Sequence, residues 1–327
     1  MQKNVLHIGF PKTGTTTLQN NFFPKHPEIH CLGKPFSSYR VEQAVTRDLF
    51  NQRLDFSIDE AKDVIVEEMA KIRNDQKVNL LSYEGFTSLL EDYKPEQPHL
   101  VDRLFDIFGV GSKVVIVIRN QKNFFNSIYM DTVLAGSYIS FPHFAQFFIN
   151  NISRTFMQTI KYVPLIKYYC KVFGEENVWV TCYESMLEDA ISFLDEFCRF
   201  VGVSSLRVNL PFENISLGRM AINLRRILNR IIKFDYGRPP FYMPINLRGE
   251  SKKNWRGTYK RVTKKLTYSV NPYLPFNQKL EFPRHLEKKF DSIFGPFNRT
   301  LMHDYSLKLD TFDYPGIKRV TKPDFQS

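Results

Sequence analysis

The chain has four cysteines, and no two of them form a CxxC pair. Cys31, Cys170, Cys182 and Cys198 are scattered, which argues against a zinc site. Cys182 and Cys198 lie in apolar surroundings that suit small core residues. No apolar run is long enough to span a bilayer, and Met1-Gln2-Lys3-Asn4 leads directly into a hydrophobic stretch without a secretory signal. A cytoplasmic location follows as the expectation, and the sequons at Asn151, Asn214 and Asn298 then carry little weight. There is no internal repeat, no low-complexity tract and no nucleic-acid-binding motif. Acidic residues are nearly missing from Leu224 to Lys265, where Asp235 and Glu250 stand against thirteen Lys and Arg. The whole chain carries a net charge of +11, so this one segment holds the entire excess and should meet something anionic.

A chain of 327 residues is ample for one large domain. Its thirty phenylalanines suit aromatic-rich packing or a ligand cleft. Short β-branched and apolar runs at Val5 to Ile8, Val78 to Tyr83, Lys113 to Ile118 and Val178 to Cys182 read as buried strands. Helical stretches fall between them. Thr15 to Phe23 is stopped by Pro24, and Ser57-Ile58-Asp59-Glu60 reads as a capping box opening a helix to about Arg73. Leu100 to Phe108, Gln121 to Val133 and a long helix from Ser153 to Phe173, stopped by Gly174, follow. Ser185 to Glu188 reads as a second capping box, for a helix through Phe200 that Gly202 closes. Lys25 to Phe56 is mixed and reads mostly as loop. The alternation implies an α/β fold with a central parallel sheet flanked by helices on both faces. Residues 1–205 are expected to form an α/β core within a single domain of 1–327. Residues 206–327 form a helical, irregular and basic C-terminal part, whose last helical patches, His285 to Phe294 and Phe297 to Tyr305, are expected to close the fold over a ligand.

The most informative stretch follows the first strand. Gly9, Pro11 and Gly14 form a tight loop before Thr15, Thr16, Thr17 and Leu18. Strand, glycine loop and helix start leave backbone N–H groups converging at the positive end of a helix dipole, a site for a phosphate-like anion. The usual phosphate loop carries lysine directly after its second glycine. Thr15 stands there instead, and the lysine is inside the loop at Lys12. This suits a related nucleotide that donates a different group.

Pro11-Lys12-Thr13-Gly14-Thr15-Thr16-Thr17-Leu18 resembles the 5′-phosphosulfate loop of sulfotransferases that use 3′-phosphoadenosine 5′-phosphosulfate (PAPS). Arg119, at the end of the third strand, with Ser127 eight residues on, resembles the 3′-phosphate site of the same family. Gln121 stands where proline often follows the asparagine. Val180 to Asp189, with Tyr183 and Glu184, is similar to the family's Tyr-Glu-Asp-Leu segment. Three motifs in the expected order cover roughly residues 4–203. The resemblance implies a P-loop-like sulfotransferase fold with PAPS as co-substrate and no metal. Lys12, Thr13, Gly14, Thr15, Thr16 and Thr17 would hold the phosphosulfate, Arg119 and Ser127 the 3′-phosphate, and Tyr183 the adenine. Arg248 loosely matches the family's Arg-Lys-Gly loop over the 3′-phosphate. Lys12 would stabilise charge on the leaving oxygen. Glu84, which ends the second strand, is the candidate base, with His99 and His143 as weaker candidates on loops. His7 reads as a core histidine.

The acceptor is expected to be a carbohydrate or glycolipid hydroxyl, as in a bacterial carbohydrate branch of the family. The argument for it is Glu84, the basic surface and the missing anchor. In Met220 to Phe234, Met220, Leu224, Ile227, Leu228 and Ile231 recur at helical spacing with Arg225, Arg226 and Arg230 between them. The pattern suits a helix packed on the sheet with a solvated basic face, or one that touches an anionic membrane surface at the inner face of the membrane. Two other functional readings stand beside the first. One is a P-loop nucleotide kinase or NTPase, which would want lysine at position 15 and a magnesium-ordering acid at a strand end where Arg119-Asn120 occurs. The other is a non-catalytic binder of nucleic acid or anionic surfaces built on the basic segment.

Overall fold

The computed structural model describes residues 3–51, 57–71, 77–87, 97–152, 156–211, 217–231, 255–274 and 278–318. Its centre is a parallel sheet of five strands: β1 (Asn4–His7), β2 (Ile29–Cys31), β3 (Val78–Ser82), β4 (Lys113–Ile118) and β5 (Val178–Cys182). Their order is β2-β3-β1-β4-β5. Val5 pairs with Leu80 on one side and Lys113 on the other, and Ile118 of β4 pairs with Cys182 of β5. The chain winds from β1 toward one edge and returns across it to β4, so a crevice opens at the carboxyl ends beside β1. Ligands of open α/β sheets bind at such a point.

Successive strand residues point to opposite faces. Leu6, Leu81, Val114, Ile116 and Ile118 join one core. Val5, Val78, Leu80, Val115 and Val117 join the other. The second core is covered by α1 (Thr15–Asn21) and by Phe193, Leu194 and Phe197 of α9 (Ala190–Val201), a helix that follows the short α8 (Tyr183–Glu188). The first is covered by α2 (Tyr39–Thr46), α3 (Asp59–Ala70), α4 (Gln97–Phe108), α5 (Gln121–Leu134), α6 (Phe141–Asn150) and α7 (Val163–Phe173). Phe290 and Phe294 of α12 (Arg284–Tyr305) belong to this same core, so the C-terminal part packs on the sheet domain. Helices on both faces of a parallel sheet are what the alternation implied.

Several local readings change. Lys25 to Asn51, the described part of the stretch expected to be mostly loop, supplies the edge strand β2 and helix α2, capped by Ser38, whose hydroxyl accepts from the Val41 N–H at 3.2 Å. Neither capping box forms. Ser57 accepts from Asp59, two residues on, and α3 starts after Ile58. Ser185 lies inside α8, and Asp189 caps α9 by accepting from the Ser192 N–H at 3.0 Å. The helix expected from Ser153 is a 3-10 turn over Phe156–Lys161 and then α7, separated by Tyr162 at φ 60°. The two C-terminal patches are one helix, α12, with Pro296 inside it.

The largest reversal is α10 (Arg219–Ile231). Its apolar stripe faces solvent, while Ala221, Ile222, Arg225 and Asn229 are buried. The cause is the end of α5, where the last-turn carbonyls have no partner within the helix. Asn229 Nδ2 donates to Val133 O and Ser137 O, both at 2.8 Å, and Arg225 Nη2 donates to Leu134 O at 3.3 Å. A cation at a helix C-terminus also complements its dipole. Capping α5 thus sets the roll of α10. The last helix of the basic segment, α11 (Trp255–Val270), packs against α10.

Candidate active site

The phosphate-like loop begins where β1 ends. Phe10 N donates to Val117 O at 2.7 Å, so the first residues after β1 continue against β4. Gly9 has φ 99°, and a Cβ there would stand 3.0 Å from Glu84 Cβ. The absence of a side chain lets the loop and the end of β3 close on each other. Gly14 has φ 75°, and a Cβ on it would meet Met186 Cε at 2.3 Å and Tyr183 Cε2 at 2.9 Å. This glycine lets the loop lie against α8. Gly14 is also the N-cap of α1, and no side chain caps that helix, so its first N–H groups face the cleft. The Thr13 hydroxyl donates to Phe10 O and braces the loop from within. Thr13 and Thr17 are buried, while Thr15 and Thr16 line the cleft.

That cleft is lined by Lys12, Gly14, Thr15, Thr16, Glu84, Arg119, Ser127 and Tyr183, drawn from stretches far apart in the chain. It encloses about 1000 Å³, counting the part open to solvent. Arg119 Nη1 donates to Lys12 O at 2.7 Å, and its guanidinium lies 5.0 Å from the centre of the Tyr183 ring. Its Nε is buried and has no partner among the described residues. An unsatisfied guanidinium nitrogen at this edge suits a phosphate oxygen.

The turn carrying Arg119 is anchored from behind. Tyr162 donates its hydroxyl to Arg119 O at 2.7 Å. Asn120 caps α5, its Oδ1 accepting from Lys122 N at 2.9 Å and Asn123 N at 3.3 Å, while its Nδ2 donates to Phe312 O and Asp313 O. Asn120 N donates to Glu184 Oε1 at 3.0 Å, and Tyr314 donates to Glu184 Oε2 at 2.9 Å. Burial is the main influence on the Glu184 carboxyl and moves it above the usual range. Gln121 is buried, and its amide exchanges hydrogen bonds with that of Asn298 on α12. In place of a proline, this residue ties the turn to the C-terminal helix. Residues 284–318, α12 and the segment after it, therefore buttress the site from behind, and no described residue beyond Tyr268 lines the cleft.

Glu84 lies at the end of β3 with three neighbours. Lys34 Nζ donates to its Oε1 at 2.7 Å and sits 5.0 Å from the centre of the Tyr83 ring. Gln19 Nε2 donates to Glu84 Oε2 at 3.1 Å and to Ser82 Oγ at 3.0 Å, and Ser82 Oγ is 2.7 Å from His7 Nδ1. Burial alone would push the Glu84 carboxyl up. The charge and hydrogen bond of Lys34, helped by a backbone N–H and Gln19, outweigh it and hold the carboxyl below its usual range. Glu84 is therefore ionised at neutral pH and can accept a proton. His7 is buried, its pKa is lowered to about 4 by burial against the opposing pull of Glu84, and it is neutral. His99 and His143 are exposed on α4 and α6 and lie away from the cleft.

The cleft has further walls: Pro11, Met130, Asp131, Leu217, Lys264 and Tyr268. Asp131 is engaged by the Lys12 ammonium. It lies four residues after Ser127, one helical turn along α5, and that spacing was legible in the sequence. Nothing in the sequence pointed to Lys34, which lies in a stretch without clear periodicity. Arg248 lies outside the described residues.

A family model described as the sulfotransferase domain matches residues 2–226. The chain belongs to the sulfotransferase family. This sulfotransferase is similar in structure to a sulfotransferase from Alicyclobacillus acidocaldarius, at 17% identity and a TM-score of 0.55, over 95% of this chain and 99% of the other. It is more distantly similar to the sulfotransferase domain of the Synechococcus olefin synthase, at 16% identity and a TM-score of 0.38, over 84% of this chain and 96% of the other. It is also distantly similar to a mouse sulfotransferase complexed with PAP, at 13% identity and a TM-score of 0.30, over 84% of this chain and 89% of the other. The first likeness supports the fold; no argument rests on the other two. No curated protein matches the sulfotransferase. The family sets aside the kinase and non-catalytic readings.

Proposed function

We propose that this sulfotransferase moves a sulfuryl group from PAPS to a hydroxyl of a carbohydrate or glycolipid acceptor, with Glu84 as general base. The observation that carries the reading is the convergence of Lys12, the loop threonines, Glu84, Arg119, Ser127 and Tyr183 on one cleft. Arg119 and Ser127 hold the 3′-phosphate, and Tyr183 lies against the adenine. The N–H groups at the start of α1, with Thr15 and Thr16, hold the 5′-phosphosulfate. Thr13 and Thr17 contribute through the loop backbone, and Arg248 is assigned to the 3′-phosphate by the family pattern alone.

In the transfer, the acceptor oxygen forms a bond to sulfur while the bond from sulfur to the bridging phosphate oxygen breaks. Glu84 takes the acceptor's proton, and adenosine 3′,5′-bisphosphate leaves. Lys12 exchanges Asp131 for the bridging oxygen, where negative charge builds. The transferred group carries less charge than a terminal phosphate, so these donors suffice in place of a metal. The carboxylates Glu84 and Asp131 lining the cleft suit an acceptor rich in hydroxyls, to which they offer hydrogen-bond acceptors.

The test is calorimetric titration with adenosine 3′,5′-bisphosphate, ATP and AMP without magnesium. Selective binding of the bisphosphate, weakened at least tenfold in Arg119→Ala by loss of a charged hydrogen bond, is expected. Preference for ATP would overturn the donor assignment.

A further inference from the structure

The exposed stripe of α10 has no role in the cleft. Leu224, Ile227, Leu228 and Ile231 are 44%, 55%, 40% and 70% exposed. They recur at helical spacing and form one continuous band. The capping of α5 by Arg225 and Asn229 holds that band outward, so it is a fixed surface. On α11, packed against α10, Val262 and Leu266 are 57% and 53% exposed. Neither helix contains an acidic residue. Arg219, Arg226 and Arg230 run beside the α10 band at intervals of seven and four, and Arg261, Lys264 and Lys265 are exposed on α11.

We infer that α10, with the cations of α11, is a docking surface for an anionic lipid bilayer. An aliphatic band flanked by Lys and Arg on a helix of low mean hydropathy is the pattern of a helix lying in the membrane interface. The charges choose the occupant. A twofold copy of the same face would set arginines against arginines, which opposes self-association. A nucleic acid would meet the cations and leave the aliphatic band in water. A bilayer with anionic headgroups matches both, with the band in the acyl boundary and the cations among the phosphates. No described helix is long and apolar enough to cross a membrane, so the contact is peripheral. α11 also supplies Lys264 and Tyr268 to the cleft. On the reading of the active site above, the docked enzyme therefore works beside the bilayer, on acceptors carried by lipid.

The test is flotation of the full-length protein with vesicles of phosphatidylcholine, and with vesicles of equal parts phosphatidylcholine and phosphatidylglycerol. Flotation with the anionic vesicles only, weakened by high salt, is expected. Two variants separate the contributions: Leu224→Ser/Ile227→Ser/Ile231→Ser and Arg230→Gln/Arg261→Gln/Lys265→Gln. The charge variant should partition on the order of a hundredfold more weakly, since each interfacial cation contributes about fivefold. Both should retain wild-type circular dichroism and bisphosphate affinity, because none of these residues lines the cleft. Wild-type protein that fails to float, or variants that float unchanged, would overturn the assignment. Sedimentation velocity provides the remaining arm: a wild-type dimer that the serine variant converts to monomer would make a second copy the occupant and also overturn it. Bisphosphate binding is read separately, so failure of the sulfotransferase donor assignment leaves this result intact.

Discussion

Replacing Glu84 with glutamine separates chemistry from binding. The side chain keeps its shape, and its amide oxygen can still accept from Gln19 Nε2, now 3.1 Å from the carboxylate. The Lys34 ion pair is lost, but Lys34 is 39% exposed and Glu84 23%, so solvent already screens it. Replacing the carboxylate by an amide leaves Lys34 partly in water rather than as a buried unpaired charge, so the fold should survive. The chemical loss is larger. Glutamine cannot take a proton, and a positioned general base contributes about 10²- to 10⁴-fold, or roughly 3–5 kcal/mol of the barrier. Bisphosphate affinity should stay within about twofold of wild type, because the contacts of Glu84 are with Lys34 and Gln19 rather than with Lys12 or Arg119. The assay is transfer of radiolabelled sulfuryl from PAPS to the best acceptor from a glycan screen, beside calorimetry with the bisphosphate. Turnover within about tenfold of wild type would refute the role of Glu84 as base. A parallel collapse of bisphosphate binding would show that the carboxylate supports the loop instead.

Lys34→Met removes the partner that opposes burial at Glu84, so the acid limb of the pH–rate profile should move to higher pH; an unmoved limb would mean that another group controls it. Because the folded carboxyl sits below its ordinary 4.5, the pair adds stability that is present above that value and lost as the pH falls through the depressed one. Thermal melts of Lys34→Met and wild type should therefore differ at neutral pH and converge in acid. Asp131→Asn frees Lys12 from a half-exposed carboxylate and should tighten bisphosphate binding about two- to fivefold, the size of an exposed ion pair; weaker binding would show that Asp131 orients the lysine. Gly14→Ala combines a left-handed backbone with overlap on Met186 and Tyr183, and should cost about 1–3 kcal/mol of stability along with bisphosphate binding. Unchanged melting would mean that α8 yields easily.

The parts of this fold legible in the sequence are those in which local chemistry and tertiary structure agree. β1, β4 and β5 are apolar runs that end in glycine, Arg119 or Tyr183, and their ends meet at one crevice as the topology requires. The misread parts were decided at a distance. The pattern of α10 is amphipathic, but which side faces inward depends on the hydrogen bonds that Arg225 and Asn229 make to the last carbonyls of α5, far earlier in the sequence. Lys34 reaches Glu84 because β2 adds to the sheet edge, and three residues of strand give too short a signal to find. Asp131 lies one helical turn from Ser127, yet an acid in an anion site contradicts simple charge matching, and only its ion pair with Lys12 explains its place there. The two capping boxes had the right letters, but in each case a neighbouring residue decided where the helix begins.

The hydrogen bonds from Asn120 to Phe312 and Asp313, and from Tyr314 to Glu184, bear on the timing of synthesis. Ribosomes release the N-terminal residues first, and by residue 226 nearly every side chain assigned to the donor has emerged. The turn that aims Arg119 still lacks its rear supports, which come from residues 312–314. A nascent sheet can form early, but the turn behind its anion site is anchored only after residues 312–314 have been made. A polypeptide cut short before residue 312 would thus carry the residues assigned to the donor without these contacts to hold Arg119 in place.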